Sequence, residues 1–186
     1  MSSCLVILDR DGVINQDSRE FIKSPIEWEA LDGSLEAIGM LTEANFDVAV
    51  ATNQSGIGRN LFTEQTLESI HEKMCKTVEK FNGKIGLIAF CPHHPKDDCD
   101  CRKPKTALLE KVGKHYRVPL NEVPMIGDSL RDIDAALAVG GRPILVLTGN
   151  GLKTQIALRN SGSAIETYAN LLEAATALVK QIEKKS

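Results

Sequence analysis

The sequence predicts an α/β protein in three layers, a mostly parallel sheet covered by helices on both faces. Two observations lead there. Apolar runs of strand length alternate with stretches whose apolar residues recur at helical spacing. The polar residues Asp9, Thr52 and Asp128 each fall where a different strand ends, the edge of a parallel sheet at which ligands gather.

Taken in order, Cys4-Leu5-Val6-Ile7-Leu8 reads as a buried first strand delivering Asp9-Arg10-Asp11-Gly12. Residues 12–30 read as irregular, since Pro25 disfavours a continuous helix. Leu35, Ile38 and Leu41 mark a helix after Gly33, and Phe46 to Ala51 a second strand ending at Thr52-Asn53-Gln54-Ser55-Gly56. Thr63 is placed to cap a long helix carrying Leu67, Ile70, Met74, Val78 and Phe81. Residues 85–90 form a third strand that runs into a cysteine-rich loop, followed by a helix over 105–115. Val123 to Ile126 is a short strand before Gly127-Asp128, and Leu130, Ile133 and Leu137 line the next helix. Ile144 to Leu147 is the last clear strand, and 167–183 reads as a terminal helix.

A chain of 186 residues favours one domain over 1–186, and 42% hydrophobic residues can furnish its core. A net charge of −3 gives no general footprint for nucleic acid. Strand-like sequence begins within a few residues of the start, with no basic lead and no span of membrane length. The expectation is a cytoplasmic monomer acting on a small molecule, with neither nucleic acid nor membrane as partner.

Taken singly, the acids have ordinary explanations. Asp11-Gly12 is a common turn pair, Asp128 a plausible helix cap, and Asp132 a solvated or supporting helical acid. Thr52 alone is a cap and Lys103 alone a surface lysine. Taken together, Asp9, Asp11 and Asp128 in one cavity would repel unless a cation or proton compensated them. Oxygen ligands of this kind suit Mg²⁺, which commonly accompanies phosphate-bearing substrates. A carboxylate attacking phosphorus meets a negative target, and metal, lysine and N–H donors are the means of lowering that barrier.

The loop from 91 to 101 supplies Cys91, Cys99 and Cys101 with either His93 or His94. Three thiolates and one imidazole make a closed tetrahedral Zn²⁺ site, so this metal is read as structural. A reduced thiol cluster is the plainer alternative; a redox pair of Cys99 and Cys101 lacks the usual two-residue separation.

With these residues in place, the chain resembles the haloacid-dehalogenase-like phosphohydrolase superfamily over nearly its whole length. The matching signature is Asp9-Arg10-Asp11-Gly12, Thr52-Asn53-Gln54-Ser55-Gly56, Lys103, and Gly127-Asp128-Ser129-Leu130-Arg131-Asp132. The resemblance implies a Rossmann-like fold with Asp9 as nucleophile, forming an aspartyl-phosphate, and Asp11 as acid/base. Asp11 should then resist ionisation more than Asp9. It further implies that Thr52 and Lys103 bind the phosphoryl group, that Asp9, Asp128 and the Asp11 carbonyl hold Mg²⁺, and that Asp132 supports them.

The cysteine loop, with Asn15, Asp17, Arg59 and Arg102-Lys103-Pro104, is similar to the subfamily of heptose 1,7-bisphosphate and histidinol-phosphate phosphatases. That likeness implies zinc on Cys91, His93, Cys99 and Cys101, almost no separate cap, and a phosphorylated sugar substrate of the ADP-heptose route to lipopolysaccharide. Asn15, Asn53, Gln54, Ser55, Arg59 and Arg102 become candidate substrate contacts, the arginines for a distal phosphate. The sequence departs from the subfamily in a short stretch between His93 and Cys99, in Lys105-Thr106-Ala107 after Pro104, in Phe21, and in Ser129 after Asp128. These bear on the substrate, for which histidinol phosphate or another small phosphosugar is the alternative to heptose bisphosphate. A zinc-stabilised interaction module without turnover is the alternative of another class, against which the complete set of acids argues.

Overall fold

The structure, a computed structural model, describes residues 4–184. Six strands lie side by side: β1 (Cys4–Leu8), β2 (Phe46–Asn53), β3 (Ile85–Cys91), β4 (Pro124–Gly127), β5 (Arg142–Val146) and β6 (Glu166–Tyr168). Their order is β3-β2-β1-β4-β5-β6, and every neighbouring pair is parallel. The connecting helices are α1 (Ser34–Glu43), α2 (Glu64–Glu79), α3 (Ala107–Tyr116), α4 (Leu130–Ala138), α5 (Gly151–Asn160) and α6 (Leu171–Glu183).

Alternation along β1 explains the three layers. Val6 and Leu8 point into one apolar cluster with Ile38, Ile70, Met74 and Leu178, beneath α1, α2 and α6. Leu5 and Ile7 point to the other face, joining Leu109, Val112 and Ala135 beneath α3 and α4. Because β1 is covered on both sides, it reads as an unbroken apolar run.

After β3 the chain returns to lay β4 on the free side of β1, with Ile7 opposite Met125 and Leu8 opposite Ile126. The strand order therefore reverses between β1 and β4. Crevices open at such a reversal, past the carboxyl ends of the strands. The Asp9 amide donates to the Ile126 carbonyl at 2.9 Å, fixing the turn after β1 against the end of β4.

Three expectations need correction. The segment 167–183 is a strand over Glu166–Tyr168 and then a helix beginning at Leu171. The short edge strand is half-buried and lacks an apolar pattern. Helix α5 escaped notice because Leu152 and Ile156 face solvent while Gly151, Thr154 and Leu158 are buried, so its inner face is not the apolar one. Of the residues expected to line α4, only Ile133 is buried; Leu130 and Leu137 are exposed, as is Phe81 beyond the end of α2. Thr63 does cap α2, accepting from the Thr66 amide at 3.1 Å.

Candidate active site

The strand ends bring Asp9, Asp11, Thr52 and Asp128 together as the spacing predicted, and the loop after β3 adds Lys103. Lys103 is buried, with Nζ 3.0 Å from Asp9 Oδ1 and 2.6 Å from Asp132 Oδ1. The same Nζ donates to the Ala51 carbonyl at 2.6 Å. Asn53 holds the Lys103 backbone at both ends: its Oδ1 accepts from the amide at 3.0 Å and its Nδ2 donates to the carbonyl at 3.1 Å. Both ends of the Asn53 amide are thus engaged by the protein.

Carboxylate oxygens of Asp9, Asp128 and Asp132 lie within 4.8 Å of one another, and all three residues are buried. They are not equivalent. Asp132 spends Oδ1 on Lys103 and Oδ2 on the Ser129 amide and hydroxyl. Asp128 Oδ2 accepts from the Asn150 amide at 2.7 Å and from its side chain at 3.1 Å. Its Oδ1 is buried with neither a hydrogen bond nor an ion pair among the described residues. A buried carboxylate oxygen left bare beside a second carboxylate is the donor arrangement a hard divalent cation requires, and Asp9 with Asp128 fits one.

Two glycines make this approach possible. A Cβ on Gly12, or one on Gly149, would stand 2.2 Å from Asp128 Oδ2. Both also have positive φ, +81° and +54°, which glycine adopts without steric cost. Thr148 Oγ1 closes the seam by donating to the Gly12 carbonyl at 2.6 Å.

The two acids of the first turn are tuned in the opposite sense to that expected. Burial pushes Asp9 up to about 7, Lys103 opposes the rise, and Asp132, Asp128 and Asp11 add to it. Burial would also raise Asp11, yet the net shift is downward. Arg10 grips it through Nη2 at 2.8 and 3.0 Å, Asn15 Nδ2 donates at 2.9 Å and Gln54 Nε2 at 2.8 Å. With Arg10 Nε at 3.1 Å, four donors to one carboxylate outweigh its desolvation. Burial of Asp9, with the neighbouring acids adding to it, and the donors gathered on Asp11 together make the reversal, and a divalent cation at Asp9 and Asp128 would lower Asp9 again.

A cleft of about 120 Å³ opens over these groups, space for a few waters at about 30 Å³ each. Its walls include Asp9, Asp11, Thr52, Asn53, Gln54 and Ser55, with Arg102 and Arg131 at one side and Asp17, Ser18 and Phe21 at another. Arg59 lies over the Phe21 ring, 5.6 Å from its centroid. Asn15 is corrected from a substrate contact to a support: it is fully buried and donates to Asp11 from outside the cleft.

Sequence reasoning missed Arg131 and Asn150. Asn150 also donates to Asp17 at 3.0 Å, linking the loop after β1 to the Asp128 side of the site. The signal was present in Thr148-Gly149-Asn150-Gly151, a polar turn just past a strand end, where the rule that singled out Thr52 applies equally.

Beside this site stands a second cluster. Cys91 Sγ is 3.6 Å from Cys99 Sγ and 3.7 Å from His93 Nδ1, while Cys101 Sγ is 3.6 Å from Cys99 Sγ and 3.1 Å from His93 Nδ1. The sulfur separations are far beyond a disulfide bond and near the edge, about 3.8 Å, of a tetrahedron with 2.3 Å metal–sulfur bonds. His94 is turned into its own loop, its Nδ1 accepting from the Lys96 amide at 3.1 Å. That leaves His93 as the imidazole grouped with the three thiols, four side chains that could hold a metal ion.

A parallel sheet reversing over paired aspartates, a buried lysine and a threonine defines a phosphohydrolase of the haloacid-dehalogenase-like class. The family described as HAD-hydrolase-like matches residues 100–175, and the family described as polynucleotide kinase 3 phosphatase matches residues 5–133. The chain is 53% identical over 150 residues to a D-glycero-β-D-manno-heptose-1,7-bisphosphate 7-phosphatase of Neisseria meningitidis, covering 81% of this chain and 80% of that protein. It is 49% identical to the enzyme of that name from Pseudomonas aeruginosa, over 83% and 86% of the two chains. The crystal structure of D,D-heptose 1,7-bisphosphate phosphatase from B. bronchiseptica, complexed with magnesium and phosphate, superposes with a TM-score of 0.91 at 47% identity, covering 96% of this chain and 99% of that one. The chain belongs to the haloacid-dehalogenase-like phosphohydrolase superfamily and, within it, to the family of these heptose bisphosphate phosphatases.

Proposed function

We propose that this chain is a Mg²⁺-dependent phosphomonoesterase that removes the 7-phosphate of D-glycero-D-manno-heptose 1,7-bisphosphate. The observation that carries the reading is the pairing of Asp9 with the bare Asp128 oxygen beside the buried Lys103, in a chain about half identical to phosphatases of that name.

Asp9 attacks phosphorus, forming an acyl phosphate as the ester P–O bond breaks. Asp11 gives its proton to the departing sugar oxygen and later takes one from the water that hydrolyses the aspartyl-phosphate. The donors around Asp11 hold it ionised before substrate arrives; a phosphate dianion beside it raises its proton affinity, so it takes a proton from solvent as substrate binds and has that proton to give. Thr52 and Lys103 neutralise and orient the phosphoryl oxygens, and Asp132 fixes Lys103. Mg²⁺, held by Asp9, Asp128 and the Asp11 carbonyl, supplies positive charge that counters the crowding of acids and phosphate. The cleft holds little more than a phosphoryl group, so the sugar extends toward Arg102 and Arg131, with Gln54, Ser55 and Arg59 at the rim. Zinc on Cys91, His93, Cys99 and Cys101 is structural and shapes that rim. We place this activity in a single cytoplasmic domain acting as a monomer.

Phosphate release by wild type and Asp9→Asn, on both anomers of the heptose bisphosphate and on histidinol phosphate with and without Mg²⁺, tests the reading. Selective, Mg²⁺-dependent release from the heptose bisphosphate that Asp9→Asn abolishes supports it. Preference for histidinol phosphate moves the chain to the other substrate, and equal release by the variant removes Asp9 from the mechanism.

A further inference from the structure

One buried titratable group lies outside the scheme above. His71 sits in the middle of α2, among Leu67, Ile70 and Met74, and neither it nor any other residue of that helix lines the cleft. Its Nε2 is 3.3 Å from Arg10 Nη1. A guanidinium only donates, so Nε2 is the unprotonated nitrogen and the proton resides on Nδ1. Burial and the Arg10 charge hold this imidazole neutral, with its pKa down at about 3. Phe90 of β3 fixes the ring from the side, edge to face, at 6.2 Å between centroids.

Arg10 is itself 1% exposed. Its Nε and Nη2 are occupied by Asp11, at 3.1, 2.8 and 3.0 Å, so His71 is the side chain that satisfies Nη1. A buried donor deprived of its acceptor costs the full desolvation of that group. Without His71, Nη1 is left buried and unsatisfied, and the guanidinium is free to tilt on its contacts with Asp11 toward another acceptor, carrying the carboxylate with it.

We propose that His71 is a positioning residue for the reaction, anchoring Arg10 through Nε2 so that Arg10 presents the Asp11 carboxylate to the departing oxygen. This rests on the reading of Asp11 as the acid/base. It gives α2 a part in turnover, along the line His71, Arg10, Asp11.

The test compares leaving groups with the full chain and Mg²⁺. p-Nitrophenolate leaves without a proton, whereas an alkoxide needs one. The two substrates are p-nitrophenyl phosphate and the alkyl phosphomonoester that wild type hydrolyses fastest, with kcat/KM read on both. General acid catalysis is worth about 10²- to 10⁴-fold. His71→Leu is expected to lose roughly tenfold or more on the alkyl ester and less than about threefold on the aryl ester. His71→Gln, whose amide oxygen reaches the place of Nε2, should stay within about threefold of wild type on both. Equal losses on the two esters, equal losses in the Leu and Gln variants, or no loss in His71→Leu would overturn the proposal. Should His71→Leu fail to fold, His71→Asn, which is too short to reach Arg10, replaces it under the same criteria. Asp11→Asn separates the two failures. If it too shows no dependence on leaving group, the acid/base reading of Asp11 falls and takes this proposal with it. If it does show that dependence while His71→Leu does not, only the assignment of His71 falls.

Discussion

The acid cluster and the cysteine cluster flank Lys103, and they are held in different ways. Asp9 and Asp128 stand at the ends of adjacent paired strands, and Lys103, Asn150, Gly12 and Gly149 restrict where their oxygens can go. Their geometry is made by the fold, and what they lack is compensation for charge. The thiols and His93 lie at the end of β3 and along an exposed loop, where short turn bonds around His94 and the exposed Lys105–Asp98 pair add to their mutual contacts. One region is a shaped site crowded with charge; the other is four side chains gathered from a strand end and an exposed loop, a group that could hold a metal ion. Removing metal from the first should therefore alter energy and turnover, and from the second, structure.

The largest effect expected is that of Asp9→Asn. Phosphate release should fall on the order of a thousandfold or more, while thermal stability at pH 8 without Mg²⁺ holds or rises, because a carboxylate that burial pushes up to about 7 no longer has to ionise in the folded state. A marked fall in Tm would show that the acids carry the fold. Lys103→Gln should lower kcat roughly 100-fold, in the range for loss of one preorganised donor, and should lower Tm as well, since Asp9 and Asp132 lose their buried partner. Steady-state kinetics with calorimetry separates these two variants.

Cys99→Ala/Cys101→Ala tests the other side. Metal analysis should find zinc near one per chain in wild type and lost in the variant. Tm should drop by several degrees, at about 2–4 °C per kcal/mol for a chain this size, and KM should rise roughly tenfold with kcat less affected. A collapse of kcat at unchanged KM would erase the distinction between the two regions.

The smallest effect is in pH. Asp9, raised to about 7, and Asp128, raised to about 6, hold protons in the folded state that the unfolded chain releases near its ordinary value of 3.8. Between those limits these two acids bind more protons in the native state and so lower the stability of the Mg²⁺-free protein as pH rises from about 4 to about 7. His71, held down at about 3 but protonated in the unfolded chain up to its ordinary 6.5, opposes them by one proton below that value. Asp11 and Asp132, held low, titrate beneath that window. Asp9→Asn should flatten the slope of Tm against pH, and Mg²⁺ should raise Tm more at pH 8 than at pH 5.

Legibility in the sequence followed the same division. β1, β2 and β4 were readable because strands buried on both faces become apolar runs, and each ends in a residue of the site. The gathering of the three thiols in the cysteine loop was readable from their spacing, whereas His93 as the imidazole beside them depended on how His94 turns. α5 was illegible because its buried face is Gly151 and Thr154, chosen for closeness to Asp128 and β5 rather than for hydrophobicity. The inverted tuning of Asp9 and Asp11 was illegible for a deeper reason. It depends on which neighbours point at which oxygen, and Arg10, next in sequence to both acids, donates to Asp11 alone.

The double clasp of Asn53 on the Lys103 backbone has a consequence for how such chains can vary. Lys103 is registered against β2 independently of the path taken through residues 94–98. Insertions there lengthen a surface turn between His93 and Cys99 without moving the lysine's ammonium. In this chain the exposed turn can therefore change length while the phosphoryl end stays in place, and residues 95–97 are a point at which to insert new sequence beside Arg102.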